Sequence, residues 1–173
     1  MPAQSTYVPI QTWASTGSSN GYTFTAIPQT YTDLVVVTYG RDTRAVQDEV
    51  VLIAINGDTS SLYSYTYTAA NGSSVNSYRA TAQGFAINFT CLTGASAPTN
   101  VFGSGSFTIL NYANSTTFKT ILGSGAADTN GNGLTSVTTG IYRNTSPVTS
   151  LLVQTYNPLL TGSTITLYGI AAA

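Results

Sequence analysis

Thr32-Asp33-Leu34-Val35-Val36-Val37-Thr38-Tyr39 is the stretch of sequence that decides the fold class of this chain. It contains four consecutive branched apolar residues, from Leu34 to Val37. An extended segment of this kind has no polar face to give to water on either side. The stretch therefore predicts a central strand that is covered on both sides.

The segments that follow have the composition of partner strands. They are short, rich in Thr, Tyr, Val and Ile, often alternating, and separated by Gly, Asn or Ser turns. No window shows a sustained period of 3.6 residues. About ten to twelve short strands, spaced roughly ten residues apart, predict an all-β fold: an antiparallel two-sheet β-sandwich with a jelly-roll-like topology.

The first twenty residues differ from the rest of the chain. They contain Pro2, Pro9 and a Ser-Gly cluster around the short apolar segment from Tyr7 to Trp13. Proline is tolerated at sheet edges, and Ser-Gly clusters form loops. We therefore expect an N-terminal arm or edge segment over residues 1–20, anchored by Trp13, and a β-sandwich domain over residues 21–173.

The chain carries very little charge. Only 6% of its residues are charged, and the net charge is −1, whereas roughly 25% are charged in an average soluble domain. We expect no nucleic-acid partner, because a groove that follows phosphates needs many basic residues. We also expect no membrane attachment, because no apolar run approaches the roughly 20 residues of a membrane span. Nor do we expect a signal peptide at the N-terminus. Short-range polar and aromatic contacts are the expected mode of binding.

The few charges are concentrated directly after the predicted central strand. Arg41, Asp42, Arg44, Asp48 and Glu49 all lie within ten residues. Such a run is typical of a solvated loop tip. The alternative is a contact site for a partner, for which Arg41, Asp42 and Arg44 are the candidates.

A second candidate contact surface is a row of tyrosines. Tyr63, Tyr65 and Tyr67 alternate with hydroxyl residues, so the three rings share one strand face. Such rings can stack on a sugar or a protein at little entropic cost. The alternative is that the row forms the inward face of an amphipathic strand. Trp13 is a further candidate for partner contact.

The sequence shows no catalytic constellation. Histidine is absent, which removes the usual general base and the commonest metal ligand. Six carboxylates remain, and the fold could bring two of them to the spacing of about 5 to 9 Å that glycoside cleavage uses. Each one, however, lies beside turn or strand-boundary residues. We therefore expect a protein that is not an enzyme and uses no cofactor.

The closest approach to a ligand-binding motif is Asp128-Thr129-Asn130-Gly131-Asn132-Gly133. It matches the first half of a calcium loop, with Asp128, Asn130 and Asn132 at the ligand positions. Position twelve of that pattern is Thr139 instead of Glu, and the segment that follows has a strand pattern instead of a helical one. An ordinary Asn-Gly loop is therefore favoured over a weak metal site.

Three features of the sequence occur together. They are Tyr22-Thr23-Phe24-Thr25-Ala26-Ile27-Pro28-Gln29-Thr30-Tyr31-Thr32-Asp33-Leu34, the turn Ile55-Asn56-Gly57-Asp58 with Tyr63-Ser64-Tyr65 after it, and the ending Thr164-Ile165-Thr166-Leu167-Tyr168-Gly169-Ile170. In this combination the chain resembles a family of small virion structural proteins of tailed bacteriophages, common in marine and cyanobacterial phages. The resemblance covers the sequence from about Tyr22 to Ile170 and implies a β-sandwich in the particle without catalytic residues.

From this resemblance we expect a virion protein that is assembled in the host cytoplasm. The leading expectation is a capsid decoration or cement protein on the outer surface of the head. Its expected partners are other virion proteins, above all the major capsid protein, and further copies of the chain in a homo-oligomer. The alternative is a tail component, either an adaptor or a receptor-binding head that contacts host glycans.

Overall fold

A computed structural model describes residues 6–171 of the chain, apart from the side chains of residues 88–91. The strands are β1 (Tyr7–Ala14), β2 (Gly21–Phe24), β3 (Asp33–Gly40), β4 (Asp48–Ile55), β5 (Tyr63–Ala70), β6 (Val75–Gln83), β7 (Ala86–Thr93), β8 (Gly103–Leu110), β9 (Lys119–Ala127), β10 (Leu134–Tyr142), β11 (Leu151–Gln154) and β12 (Thr164–Ile170). The predicted all-β class is confirmed.

The strands form two antiparallel sheets in a sandwich-like arrangement. Sheet A has eight strands in the order β1-β12-β3-β8-β9-β10-β5-β6, and sheet B has four in the order β2-β11-β4-β7. Every neighbouring pair in both sheets is antiparallel. The antiparallel two-sheet prediction is therefore confirmed, while the jelly-roll-like topology stays a prediction.

Strand β7 brings the two sheets together. It pairs with β4 in sheet B and also contacts β3, β8, β9, β10 and β5 of sheet A. Five neighbouring strands cover about 19 Å, which a strand of this length can span only if it runs across them. Strand β7 therefore crosses sheet A at a steep angle, as in the orthogonal class of sheet packing.

The core lies between the sheets and is filled by alternate residues of their strands. Sheet A contributes Leu34 and Val36 of β3, and sheet B contributes Ile53 and Ile55 of β4, all fully buried. The alternation follows from the period of two, which points successive side chains to opposite faces. One face of sheet A is thus built into the core.

The other face of sheet A is not covered, and here the prediction for β3 is wrong. Val35 is buried on that face, where Tyr168 of β12 lies directly opposite, but Val37 is 41% exposed. Val35 is shielded by neighbouring side chains of the same sheet, such as Tyr168 and Thr108. No second layer among the described residues covers it. Strand β3 is interior in its sheet, as predicted, but has only one buried side.

The N-terminal segment is an edge strand of the sandwich. Strand β1 pairs with β12 and has a bulge between Pro9 and Gln11. Trp13 packs against the core, and its ring stacks on Tyr22 with the centroids 6.0 Å apart. The predicted anchor is therefore engaged inside the molecule, whereas residues 1–5 lie outside the described part.

The two neighbouring valines of β3 provide a test of this one-sided burial. Val36→Ala should lower the free energy of unfolding by about 2 to 3 kcal/mol, because it removes two buried methyl groups and leaves a cavity. Val37→Ala should change it by less than about 0.5 kcal/mol. Urea denaturation of both variants measures the difference, and equal losses would contradict an uncovered outer side.

Candidate functional site

Arg41 holds a loop together instead of facing solvent. Its side chain is 7% exposed. Its guanidinium donates from Nη1 to the carbonyls of Pro98 at 2.7 Å and Val101 at 3.2 Å, and from Nη2 to those of Ala95 at 3.1 Å and Ala97 at 2.8 Å. The prediction of a solvated tip or a partner contact is wrong for Arg41, because its fixed fork of donors satisfies the carbonyls of the β7–β8 loop.

Asp42 is fully buried beside a second acid, Glu49. Its Oδ1 accepts a hydrogen bond from the backbone N–H of Arg44 at 3.0 Å, whereas its Oδ2 has no hydrogen-bond partner among the described residues. Burial, and next the repulsion from Glu49, raises the pKa of Asp42 to about 7. The surface role predicted for Asp42 is therefore wrong, since its carboxyl group is enclosed.

The fold thus brings the carboxyl groups of Asp42 and Glu49 together, but in the interior of the protein. Asp42 and Glu49 are both fully buried, so a sugar cannot reach them. Arg44 Nη1 donates to both oxygens of Glu49, at 3.2 and 3.3 Å. The Arg44 guanidinium also lies over the ring of Tyr156, 4.7 Å from its centroid. Of the three predicted charged contact residues, only Arg44 is partly exposed.

The Asp128 loop is built as a turn. Asp128 Oδ1 accepts from the N–H of Gly131 at 2.8 Å, and Asn130 and Gly131 both have a positive φ. Asn132 Nδ2 donates to Gln47 Oε1 at 3.3 Å, which ties the loop to the segment before β4. Residues 6–171, leaving aside the undescribed side chains, contain no group of three acidic, histidine or cysteine residues placed to hold a metal. The three candidate ligands thus serve the turn.

The tyrosine row of β5 runs from the core to the surface. Tyr63 is fully buried, Tyr65 is 7% exposed and Tyr67 is half-buried. Tyr63 donates from its hydroxyl to the Asp58 carbonyl at 3.0 Å. Burial therefore excludes Tyr63 and Tyr65 as contact residues and leaves Tyr67 at the boundary.

A tyrosine of the next strand completes an aromatic group that the sequence does not reveal. Tyr78 of β6 lies directly opposite Tyr67 and is 54% exposed. Its ring centroid lies 5.6 Å from that of Tyr67 and 6.4 Å from that of Tyr65. We call Tyr65, Tyr67 and Tyr78 the tyrosine cluster. Tyr78 stands alone in its segment, so only the cross-strand register could identify it.

The hydroxyl groups of Tyr65 and Tyr67 stay protonated over a wide pH range. Burial, followed by the neighbouring Tyr78 and Tyr67, raises the pKa of Tyr65. Burial and then Tyr78 raise the pKa of Tyr67 as well. These two residues therefore keep neutral rings with hydroxyl groups, which suits stacking and hydrogen bonding.

A broad uncovered surface is the face of the eight-stranded sheet A that points away from sheet B, which we call the outer face. The register places small residues in rows across it. One row crosses all eight strands and contains only Thr, Ser and Val: Thr12, Thr166, Val37, Ser106, Ser124, Val137, Thr68 and Ser77. With strands about 4.8 Å apart, this row is about 34 Å long.

The neighbouring rows add larger side chains to the small ones. One consists of Ala14, Thr164, Tyr39, Ser104, Ala126, Thr135, Ala70 and Val75; the other consists of Pro9, Tyr168, Val35, Thr108, Leu122, Thr139, Thr66 and Arg79. Arg79, at the far edge, is the one charged residue in these three rows. Strands of this length give the outer face about 800 Å², which is the area that each partner contributes to a standard protein interface.

Comparisons with protein-family models, curated proteins and solved structures find no match to this chain. The described residues include no helix long and apolar enough to span a membrane. The two uncovered surfaces, the outer face and the tyrosine cluster, are therefore the candidate functional sites.

The buried acid pair predicts an unusual dependence of stability on pH. Because the pKa of Asp42 is raised on folding, the folded state binds the proton more tightly, and the free energy of unfolding should fall as pH rises from about 4 to about 7. Asp42→Asn keeps the neutral form, so it should be more stable than the natural chain above about pH 7, by at least about 1 kcal/mol. The difference should shrink on acidification.

Thermal unfolding at a series of pH values checks this prediction. In Asp42→Asn the decrease of the free energy of unfolding with rising pH should be smaller than in the natural chain but still present, because burial also raises the pKa of Asp48. Asp128→Asn removes the same charge from an exposed loop and serves as the matched control. If Asp42→Asn and Asp128→Asn changed the pH profile equally, the enclosed pair would have no role in it.

Proposed function

We propose that this chain is a non-enzymatic virion structural protein that decorates the outer surface of a tailed-phage head. The observation that supports this most directly is the outer face of sheet A, which is broad, uncovered and nearly uncharged. The resemblance of about Tyr22 to Ile170 to virion proteins of tailed phages supplies the setting. The proposed partner of the outer face is the major capsid protein.

The chemistry of the outer face suits permanent attachment. Thr, Ser, Ala and Val lose little rotamer freedom when they are buried, so covering them costs little conformational entropy. Their hydroxyl and methyl groups bind by hydrogen bonds and apolar contact. Attachment of this kind has little dependence on ionic strength, because salt screens charges and the face has almost none.

The enclosed charges also favour a structural role. Asp42 and Glu49 cannot reach a substrate, and Lys119 is fully buried. Lys119 Nζ donates to the carbonyls of Thr117 and Thr145, each at 2.9 Å, and to that of Asn114. These groups would supply acid, base or nucleophile in an enzyme, and here all three are enclosed within the fold.

A lysine in the middle of the outer face tests the attachment. Val137 is 67% exposed on β10, so Val137→Lys should leave the fold intact while it places an unpaired charge in the proposed interface. We expect the affinity for phage heads that lack this protein to fall by roughly tenfold or more. Counting bound copies per particle by quantitative mass spectrometry measures the loss.

Thr23→Lys is the matched control, because Thr23 is exposed on β2 of the other sheet. It should bind as the natural chain does. Equal binding by Val137→Lys and Thr23→Lys would contradict attachment through the outer face. Release of the natural protein in moderate salt, with the shell still whole, would contradict the uncharged mode of attachment.

The second candidate function is that of a tail component that contacts host glycans. The observation that favours it is the exposed edge of the tyrosine cluster, where Tyr67 and Tyr78 present adjacent rings whose centroids are 5.6 Å apart. Aromatic rings on a strand face offer a stacking platform for sugars. Copy number separates the two functions, since a head decoration is present in hundreds of copies and a tail component in far fewer.

Tyr78→Ala tests the glycan candidate. Because Tyr78 is largely exposed, its removal should cost little stability, whereas removal of the buried Tyr65 would also disturb the fold. If the cluster stacks on sugars, Tyr78→Ala should weaken saccharide binding roughly tenfold. A glycan array followed by calorimetry on the best saccharide measures this, and unchanged affinity would exclude the cluster as a glycan site.

A further inference from the structure

Strand β6 is the last strand of sheet A and is exposed along almost its whole length. Its nine residues, Val75–Gln83, pair with β5 on one side, and no described strand pairs with the other side. Seven of the nine side chains are exposed, including Val75 at 70% and Tyr78 at 54%. An edge of this kind offers a row of backbone donors and acceptors to another strand.

The two edges of sheet A differ in how they are protected. Folded proteins block exposed edges with proline, bulges or charge. Strand β1, at the opposite edge, contains Pro9 and a bulge directly after it. In β6 the irregularity lies near its end, where Ala82 has a positive φ, and the segment Val75–Thr81 carries one charge, Arg79. The unprotected edge is therefore that of β6.

The chemistry of this edge fits a second copy of the same chain. Residues from Tyr63 to Gln83 contain a single charged residue, Arg79. Two β5–β6 hairpins can therefore approach each other with little electrostatic repulsion. A protected β1 edge disfavours pairing of β1 with β6, which would build an open filament. Pairing of β6 with β6 is isologous and closes as a dimer.

We propose that β6 pairs antiparallel with β6 of a second copy, which gives a two-fold dimer with one sheet running through both subunits. Pairing over the seven residues Val75–Thr81 supplies about seven backbone hydrogen bonds, close to the roughly ten of a typical interface. The inference concerns the edge of sheet A and not its outer face, so it holds or fails independently of attachment to a virion.

The tyrosine cluster sets the register of the dimer. If Tyr78 lies opposite Tyr78 of the partner subunit, the rings of Tyr67 and Tyr78 continue into those of the second copy as one aromatic row across four strands. Arg79 then lies opposite Ser77 of the partner subunit on the outer face, twice per dimer. This register keeps the two arginines from facing each other directly.

The register makes a sharp charge test possible. In Ser77→Lys each new lysine lies opposite Arg79 of the partner subunit, so the dimer contains two like-charge pairs. The natural chain should sediment at twice the 18.0 kDa of one chain, and Ser77→Lys should raise the dissociation constant roughly tenfold or more. The double variant Ser77→Lys/Arg79→Glu, which turns each pair into an attractive one, should restore the dimer.

Thr68→Lys is the matched control, because Thr68 lies directly opposite Ser77 on the same face but one strand in from the edge. It should remain dimeric. Sedimentation equilibrium of the four proteins gives the constants, and circular dichroism confirms that each is folded. A natural chain that sediments only as a monomer, or a dimer that Ser77→Lys does not weaken, would overturn the proposal. A dimer lost equally in Thr68→Lys would place the contact on the outer face instead, which also overturns it.

Discussion

Burial of the inward rows of sheet A against sheet B is the interaction on which the rest of the structure depends. Leu34 and Val36 are fully enclosed there, together with Ile53 and Ile55 from the opposite sheet. The four strands of sheet B, of which β7 crosses sheet A at a steep angle, are too few to cover its eight strands. The same packing that builds the core therefore leaves the outer face bare and lets the β5–β6 hairpin extend past the second layer. The bare outer face thus follows from packing on one side only, and the tyrosine cluster follows from the mismatch in width.

Scarcity of charge gives those surfaces their character. The chain has five basic and six acidic residues, and four of them, Arg41, Asp42, Glu49 and Lys119, are buried. Backbone carbonyls satisfy the buried cations, whereas the two acids share the single counter-charge of Arg44. Of the eleven, only Arg79 and Asp128 are exposed, and the other five are half-buried. The surface can therefore neither steer a charged ligand nor repel another copy of itself at a distance.

The strands could be predicted from the sequence because they depend on local pattern. The period of two and the turn residues predict about ten to twelve short strands, and the described residues form twelve, with the apolar run from Leu34 to Val37 inside β3. Whether a residue on a sheet face is buried depends instead on segments that are distant in the sequence. Val35 and Val37 are identical residues on one face, yet only Val35 is shielded by its cross-strand neighbours. Likewise Arg41 is buried and Arg44 is not, because the carbonyls of the β7–β8 loop, some fifty residues later, surround the guanidinium of Arg41, whereas Ala95 of that loop bonds to the backbone carbonyl of Arg44.

The tyrosine row shows how one sequence pattern serves two purposes. Tyr63 and Tyr67 occupy equivalent positions in the alternation, and their burial differs because β5 runs out from under the second sheet. The same geometry bears on the two uses suggested for Tyr78. Side chains project from the faces of a sheet, so pairing of β6 with a second copy would join two edges and leave the rings of Tyr67 and Tyr78 on the sheet face, beside those of the partner subunit. Dimerisation through β6 and stacking of a ligand on the cluster are therefore compatible, because the proposed dimer would widen the aromatic row instead of covering it.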